Sequence, residues 1–283
     1  MSMAGLKTKA RPEWCPGCGN YGILSNFLKV VEDLLTEGLE QEKLVLVSGI
    51  GNHGKIVDYV NVNSFYSIHG RAVPVAQAIK LANPDLKVIC FVGDGDSYAE
   101  GLDHLIFAAK RNSDITVLVH DNRTYGLATG QFTPTSPVNY KGPTIPYGVK
   151  EIPFNPLELM LASGATFIGR AYPPHQQHFQ TMLKAAIMHR GFALLDILQV
   201  CVFYNNLYDF YNQHVYETKL EDLSSFAEAW QLIRAWDYNS EAPIAVGTFY
   251  QVEKTTFEEY HPRLTPLQPS RRISVEEALA RFV

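Results

Sequence analysis

The chain has 283 residues, 46% of them hydrophobic, and a formal net charge of −5. That is enough to bury a large core as one or two domains, and the mild acidity without a basic stripe argues against a nucleic-acid surface. No apolar run approaches the roughly 20 residues of a membrane span, and the opening MSMAGLKTKARPEW lacks an apolar signal region, so the expected location is the cytoplasm.

The first informative stretch is Trp14-Cys15-Pro16-Gly17-Cys18-Gly19. In a reducing compartment a structural disulfide is rare, which leaves three readings: half of a zinc site, a redox dithiol, or ligands of an iron–sulfur cluster. No second close pair of Cys or His completes a zinc knuckle. The pair also precedes the first expected helix, Tyr21 to Leu35, whereas a thioredoxin-like pair follows a strand and opens a helix. The cluster reading stands ahead.

Leu44 to Val47 is an apolar strand that opens into Ser48-Gly49-Ile50-Gly51-Asn52-His53-Gly54-Lys55. Lys55 offers an ammonium to a carboxylate, or is a solvated loop lysine. Ser64 to Ile68 is a further strand candidate, followed by His69-Gly70-Arg71-Ala72 and a helix through Ala82. His69 at a strand end is placed for a ligand contact, with a satisfied loop histidine as the plainer reading, and Arg71 could stabilise the turn.

Residues 88 to 131 organise everything else. Val88 to Val92 and Ile115 to His120 are short apolar runs of the kind that form buried parallel strands. Between them Leu102, Leu105, Ile106 and Ala109 recur at helical spacing, so the unit is a right-handed βαβ crossover. Both strands then end at one edge of the sheet, and Asp94 and Asn122, 28 residues apart, come together there. A carboxylate and a side-chain amide are hard oxygen donors suited to magnesium that keeps water and phosphates in its shell. Gly93 and Gly95 let backbone approach a phosphate, and a helix starting near Tyr98 offers free N–H groups. The plainer alternative is that Gly-Asp-Gly is only a strand-to-helix turn.

The stretch from Thr129 to Pro156 is rich in Pro and Gly, and a loop of that length in a compact domain is usually functional or disordered. Asn155 to Leu161 reads as a helix, Thr166 to Arg170 as a strand, Gln176 to His189 as a helix and Ala193 to Val200 as a strand. The total is about six parallel strands alternating with helices: an α/β fold with a doubly wound, mostly parallel sheet. Cys90 lies inside an apolar run and reads as a buried small hydrophobe, whereas Cys201 falls at a strand end. Beyond it come a Tyr- and Asn-rich segment, Tyr204 to Tyr216, a helix-like run from Phe226 to Trp236, and a strand pair or edge from Ala242 to Gln251. Ser274-Val275-Glu276-Glu277 is a capping-box pattern that opens a last helix to Phe282. Residues 1–203 are therefore expected to form the main domain. Residues 204–283 form an extension that packs on it and on a partner, or else a small subdomain of the same fold.

The pair Gly93-Asp94-Gly95 and Asp121-Asn122 resembles the thiamine diphosphate signature. The fuller run GDGD, DNxxYGLxxGQ, together with WCPGCG, HGRA and LANP, resembles the β subunit of 2-oxoacid:ferredoxin oxidoreductases, over residues 14 to about 260. On that resemblance Asp94, Asn122 and the carbonyl of Thr124 hold Mg2+. Gly51, His69, Gly93, Gly95, Asp96, Asn122, Tyr125, Gly126 and Leu127 contact thiamine diphosphate, and Lys55 and Leu127 lie at the catalytic centre. Cys15, Cys18 and Cys201 match three ligands of a [4Fe-4S] cluster. The fourth place, within SGIGC in the family, is Asn52 here, so His53 is the expected substitute donor, with Asn52, water or a decayed site as alternatives.

The resemblance implies oxidative decarboxylation of a 2-oxoacid, 2-oxoglutarate ahead of pyruvate, with coenzyme A as acyl acceptor and ferredoxin taking the electrons through the cluster. It also implies an α subunit, because nothing here resembles the domain that supplies the glutamate needed to activate thiamine diphosphate. Two other readings stay open at this point: a non-redox thiamine enzyme such as a decarboxylase, and a degenerate scaffold subunit.

Overall fold

A computed structural model describes residues 3–260. The chain runs through α1 (Met3–Leu6), α2 (Asn20–Thr36), β1 (Leu44–Ser48), β2 (Asn63–Tyr66), α3 (Ala72–Ala82), β3 (Lys87–Gly93), α4 (Leu102–Arg111) and β4 (Thr116–Asp121). It continues through α5 (Pro156–Ala162), β5 (Phe167–Ala171), α6 (Gln176–Met188), β6 (Ala193–Leu198), α7 (Tyr208–His214), β7 (Val215–Glu217), α8 (Phe226–Arg234) and β8 (Ile244–Gln251).

The apolar strands are buried on both faces, and their alternation decides which layer each side chain joins. Leu44, Leu46, Ile89 and Phe91 pack with α2 and α6 on one face. Val45, Val47, Val88, Cys90 and Val92 pack with α3, α4, α5 and α8 on the other. The Cys90 side chain is thus a core hydrophobe, as its run of apolar neighbours led us to expect.

The sheet order is β2-β1-β3-β4-β6-β5-β8-β7. The first six strands are mutually parallel, and β8 runs antiparallel to β5. The chain steps from β1 outward to β2, then crosses back over β1 to lay β3 on its other side, which creates a topological switch between β1 and β3. β2 forms an exposed edge, with Phe65 and Tyr66 in contact with solvent. The expected strand pair after Ala242 is instead one long strand, β8, flanked by the three-residue β7 that begins where the Tyr-rich segment ends.

Local signals set several boundaries. Asn155 caps α5 by accepting from the N–H groups of Leu157 and Glu158, with Pro156 in the first turn where no hydrogen bond is lost. α4 ends at Asn112 with φ of 53°, the left-handed conformation that asparagine tolerates. The segment 129–155 is a loop without helix or strand, yet Thr133, Thr135, Ser136 and Tyr140 within it are buried. The C-terminal segment is tied to the sheet by charge as well as apolar packing. Arg170 on β5 is fully buried against Trp236, Tyr238 and Phe249. Asp196 on β6 accepts hydrogen bonds from Tyr98 at 2.9 Å and Tyr238 at 2.7 Å. The capping-box helix expected at Ser274 to Phe282 lies outside the described residues.

Candidate active site at the strand ends

The carboxyl ends of β1, β3 and β4 lie side by side, with Gly93 registered against His120. A cleft of about 150 Å³ opens there. Gly51, His53, His69, Gly93, Asp94, Gly95, Asp96, Asn122, Thr124, Tyr125, Gly126 and Leu127 all line it. Residues from four separate stretches of sequence are therefore brought to one place by the order of the strands.

Asp94 is almost wholly buried. Burial raises its carboxyl to about 6, against hydrogen bonds from Thr133, Thr135 and its own turn that lower it. The Thr135 hydroxyl stands 3.2 Å from Asp94 and 2.8 Å from Asp121, so two buried carboxylates share one hydroxyl. Asp121 is pushed well above the usual carboxylate range by burial and then by the charges of Asp196 and Asp94, with Arg123 only partly offsetting this. Its second oxygen has no hydrogen-bond partner. This local excess of buried negative charge is what a divalent cation would neutralise.

Among the described residues no three His, Cys, Asp or Glu side chains converge as a ready cage for a metal ion. A magnesium site needs none, since that ion is held by one or two carboxylates and completes its shell with water and ligand phosphates. The oxygens of Asp94, Asn122 and Thr124 fit that role. The Asn122 side chain accepts from the Thr124 N–H at 3.0 Å, which fixes the turn that carries both.

The rest of the cleft is shaped for a close approach of backbone. A Cβ at Gly95 would stand 2.0 Å from the Tyr125 ring, so only glycine allows that ring its position. Tyr125 is fixed by hydrogen bonds from its hydroxyl to Glu100 at 2.9 and 3.0 Å. Asp96 turns back from the cleft mouth: one oxygen accepts from the Gly70 N–H at 2.7 Å, and the other faces His53 Nε2 at 3.5 Å without a hydrogen bond. His69 sits between Asp96 and Glu100, with Nδ1 3.3 Å from the Glu100 carboxylate.

Two expected residues have a different setting. Lys55 does not line the cleft; its ammonium is 2.9 Å from Asp58 and 3.7 Å from Glu13 on the surface. His53 is held against Gly51 and Gly93 and lies 5.8 Å from the His120 ring, on the Asp96 side of its turn. Its neighbour Asn52 points the other way, toward Gly126 and Cys201. Thr135 and Asp121 were not expected as site residues. Thr135 belongs to a stretch without periodicity, and only the folded loop shows that its hydroxyl reaches Asp94.

Beside the cleft, Cys15, Cys18 and Cys201 gather as free thiols. The Cys18 N–H bonds the Cys15 carbonyl at 3.0 Å, closing the loop, and the Gly19 N–H bonds Val200 at 3.1 Å, docking the loop on the segment that carries Cys201. Burial pushes the Cys18 thiol up to about 11. The Asn20 backbone N–H opposes this, and Cys201 and Cys15 add to it.

Residues 49–197 match the thiamine pyrophosphate enzyme C-terminal TPP binding domain, and residues 201–266 match the family that forms the C-terminal part of the pyruvate ferredoxin oxidoreductase beta subunit. The beta subunit of 2-oxoacid:ferredoxin oxidoreductase 1 from Aeropyrum pernix is 40% identical over 98% of this chain and 89% of its own length. The chain belongs to the β subunits of 2-oxoacid:ferredoxin oxidoreductases. A second such β subunit, from Saccharolobus solfataricus, is 37% identical over 95% of this chain and 90% of its own. A solved 2-oxoglutarate:ferredoxin oxidoreductase from Magnetococcus marinus, with 2-oxoglutarate, coenzyme A and succinyl-CoA bound, superposes with a TM-score of 0.86. It is 32% identical, covering 92% of this chain and 88% of that one. The strand-end cleft lies within the TPP-binding match and the late cysteine opens the second one. Among the described residues no helix is long and apolar enough to cross a membrane.

Proposed function

We propose that this β subunit binds the diphosphate end of thiamine diphosphate at the strand-end cleft through Mg2+ held by Asp94, Asn122 and the Thr124 carbonyl. With an α subunit it oxidises a 2-oxoacid, 2-oxoglutarate ahead of pyruvate, to the acyl-CoA. The observation that carries this reading is the buried Asp94 carboxylate facing a glycine-lined cleft, with the under-neutralised Asp121 behind it on the shared Thr135 hydroxyl. The preference for 2-oxoglutarate is supported by the Magnetococcus marinus neighbour and by the 2-oxoglutarate oxidoreductase subunit KorB of Mycobacterium tuberculosis, 43% identical over 68% of this chain.

Thiamine diphosphate, when bound, supplies the nucleophilic carbon and the electron sink for decarboxylation. The chain's own residues bind and orient it. Asp94 carries the metal; Thr135 and the Asn122 turn hold the oxygen donors in place. Gly93, Gly95 and Gly126 keep side chains out of the phosphate path. Tyr125, braced by Glu100, and Leu127 form the wall where the reacting end would lie. Lys55 would reach a substrate carboxylate only on leaving Asp58.

Cys15, Cys18 and Cys201 would hold an iron–sulfur cluster that takes electrons one at a time toward ferredoxin. Ligands of a cubane each take a different iron, so they stand farther apart than the ligands of one ion, in keeping with three thiols that are neighbours without forming a single-ion cage. The α subunit would cover the exposed apolar groups around the cleft, Leu127, Tyr147, Ile152 and Phe203. Residues 204–260, the described part of the C-terminal extension, would pack against both. The protein would work in the cytoplasm.

The test is co-expression with the α subunit and assay of ferredoxin reduction against a panel of 2-oxoacids with coenzyme A. The complex should reduce ferredoxin with 2-oxoglutarate, and the β chain alone should not. A lone β chain that decarboxylates 2-oxoacids overturns the reading.

A further inference from the structure

A four-iron cubane takes four protein ligands, as a rule four thiolates, and this corner has three. The remaining cysteine, Cys90, cannot reach it: the side chain is fully buried on β3 in the opposite core layer, with its sulfur directed at the Ala72 carbonyl. What stands in the gap is Asn52. A Cβ built on Gly126 would lie 2.9 Å from Asn52 Nδ2 and 3.9 Å from Cys201 Sγ, so the amide and the sulfur both border the space beside Gly126. The Asn52 carbonyl also accepts from Trp14 Nε1 at 2.7 Å, which anchors it to the residue that precedes Cys15.

Gln199, which donates to Cys18 Sγ at 3.6 Å and has a buried Oε1 without a partner, offers only a hard amide oxygen like that of Asn52, and three other nearby side chains are held elsewhere. His53 packs against Gly51, Gly93 and His120 with Nε2 toward Asp96. The Tyr140 hydroxyl pairs with Thr124 at 2.8 Å, and the Tyr208 hydroxyl donates to the Gly17 carbonyl at 3.1 Å. The Asn52 amide is a neutral, hard group that matches iron among sulfides poorly.

Resting on the reading that this corner carries an iron–sulfur cluster, we propose that the cluster is held by three thiolates and that its fourth iron, beside Asn52, has no thiolate ligand and leaves on oxidation. An iron beside Asn52 would also be on the side of the cluster toward the cleft, because Gly126 lines the cleft and its Cβ position faces the Asn52 amide. The balance is simple: a [4Fe-4S]2+ cluster gives one electron to an added oxidant, releases one Fe2+, and becomes [3Fe-4S]+ with all its sulfides retained.

The test uses the anaerobically purified complex with its α subunit, titrated with ferricyanide and followed by iron analysis and electron paramagnetic resonance. Wild type should lose one iron in four and gain the near-isotropic ferric signal of a three-iron cluster, reversed by ferrous iron and a reductant. Asn52→Cys should supply a fourth thiolate, keep its iron and cut that signal at least tenfold. Asn52→Ala and His53→Gln should both convert like wild type. If Asn52→Cys fails to assemble, the wild-type and His53→Gln titrations still decide. A wild-type cluster that resists ferricyanide, or a His53→Gln variant whose conversion differs, reveals a fourth protein ligand and overturns the proposal. Protein without iron in both wild type and Asn52→Cys overturns the cluster reading itself.

Discussion

The strand-end cleft and the cysteine corner sit side by side, share Gly126, and are built in opposite ways. The cleft hangs from one βαβ unit: β3 ends just before Asp94, β4 just before Asn122, and the register between those strands fixes both. Its key carboxylate is buried and oriented by threonine hydroxyls and the backbone N–H groups of its own turn. The corner is the meeting of three segments remote in sequence, around Cys15, Asn52 and Cys201, and Cys15 is exposed. It depends on the docking of the Cys15–Cys18 loop on the chain after β6 rather than on any strand register. Rigidity and desolvation suit a metal–phosphate site, where oxygens must be placed ahead of the ligand. A loop corner is less constrained by strand register, and it is there that this chain carries Asn52.

Breaking the cleft without touching the corner is therefore possible through a residue that serves the cleft carboxylates and not the cysteines. Thr135→Val removes the hydroxyl shared by Asp94 and Asp121 and leaves both carboxylates buried without it. Loss of such an outer-shell partner typically costs about 10–100-fold in metal affinity. Calorimetry should show that loss for magnesium-dependent thiamine diphosphate binding, with the iron content of the corner unchanged. An equal loss of iron would mean that the two sites are not independently built.

A smaller effect sharpens the same contrast, because the far end of the sheet should respond to acid in a way the sites do not report. His189 donates to or accepts from Thr166 at 2.9 Å, and burial lowers it from 6.5 to about 4, with Asp114 pulling it back and Lys87 adding slightly to the drop. The folded form thus refuses a proton that the unfolded chain takes up. Stability should fall as pH drops below 6.5 and continue falling toward 4. His189→Gln should flatten that slope, by on the order of 1 kcal/mol between pH 6.5 and 5 once partial exposure is allowed for. Urea midpoints at the two pH values measure it; equal slopes in both proteins would show that His189 is not the group responsible.

The parts of this molecule that could be read in the sequence are those decided locally. The apolar runs of β3 and β4, the helical spacing between them and the turn residues at their ends require the crossover, and with it the meeting of Asp94 and Asn122. Cys15 and Cys18 announce themselves by spacing. What could not be read depends on side-chain direction or on loop packing. Asn52 and His53 are adjacent, and nothing in their order says that the turn sends one toward Cys201 and the other toward Asp96. Thr135 lies in an aperiodic loop whose burial comes from contacts with strand ends far off in sequence. The three residues of β7 are too few to carry a period, and they pair only because β8 offers an edge.

Asp94 is the residue on which the proposed metal–diphosphate site depends most. Isothermal titration of thiamine diphosphate into the complex with its α subunit, in magnesium and in chelator, for wild type and Asp94→Ala, tests it most directly. Wild type should bind only with the metal. Asp94→Ala should lose more than about 100-fold in affinity, beyond what an outer-shell change costs. Binding by Asp94→Ala at wild-type strength with the same magnesium dependence would contradict the assignment of the strand-end cleft as the metal–diphosphate site.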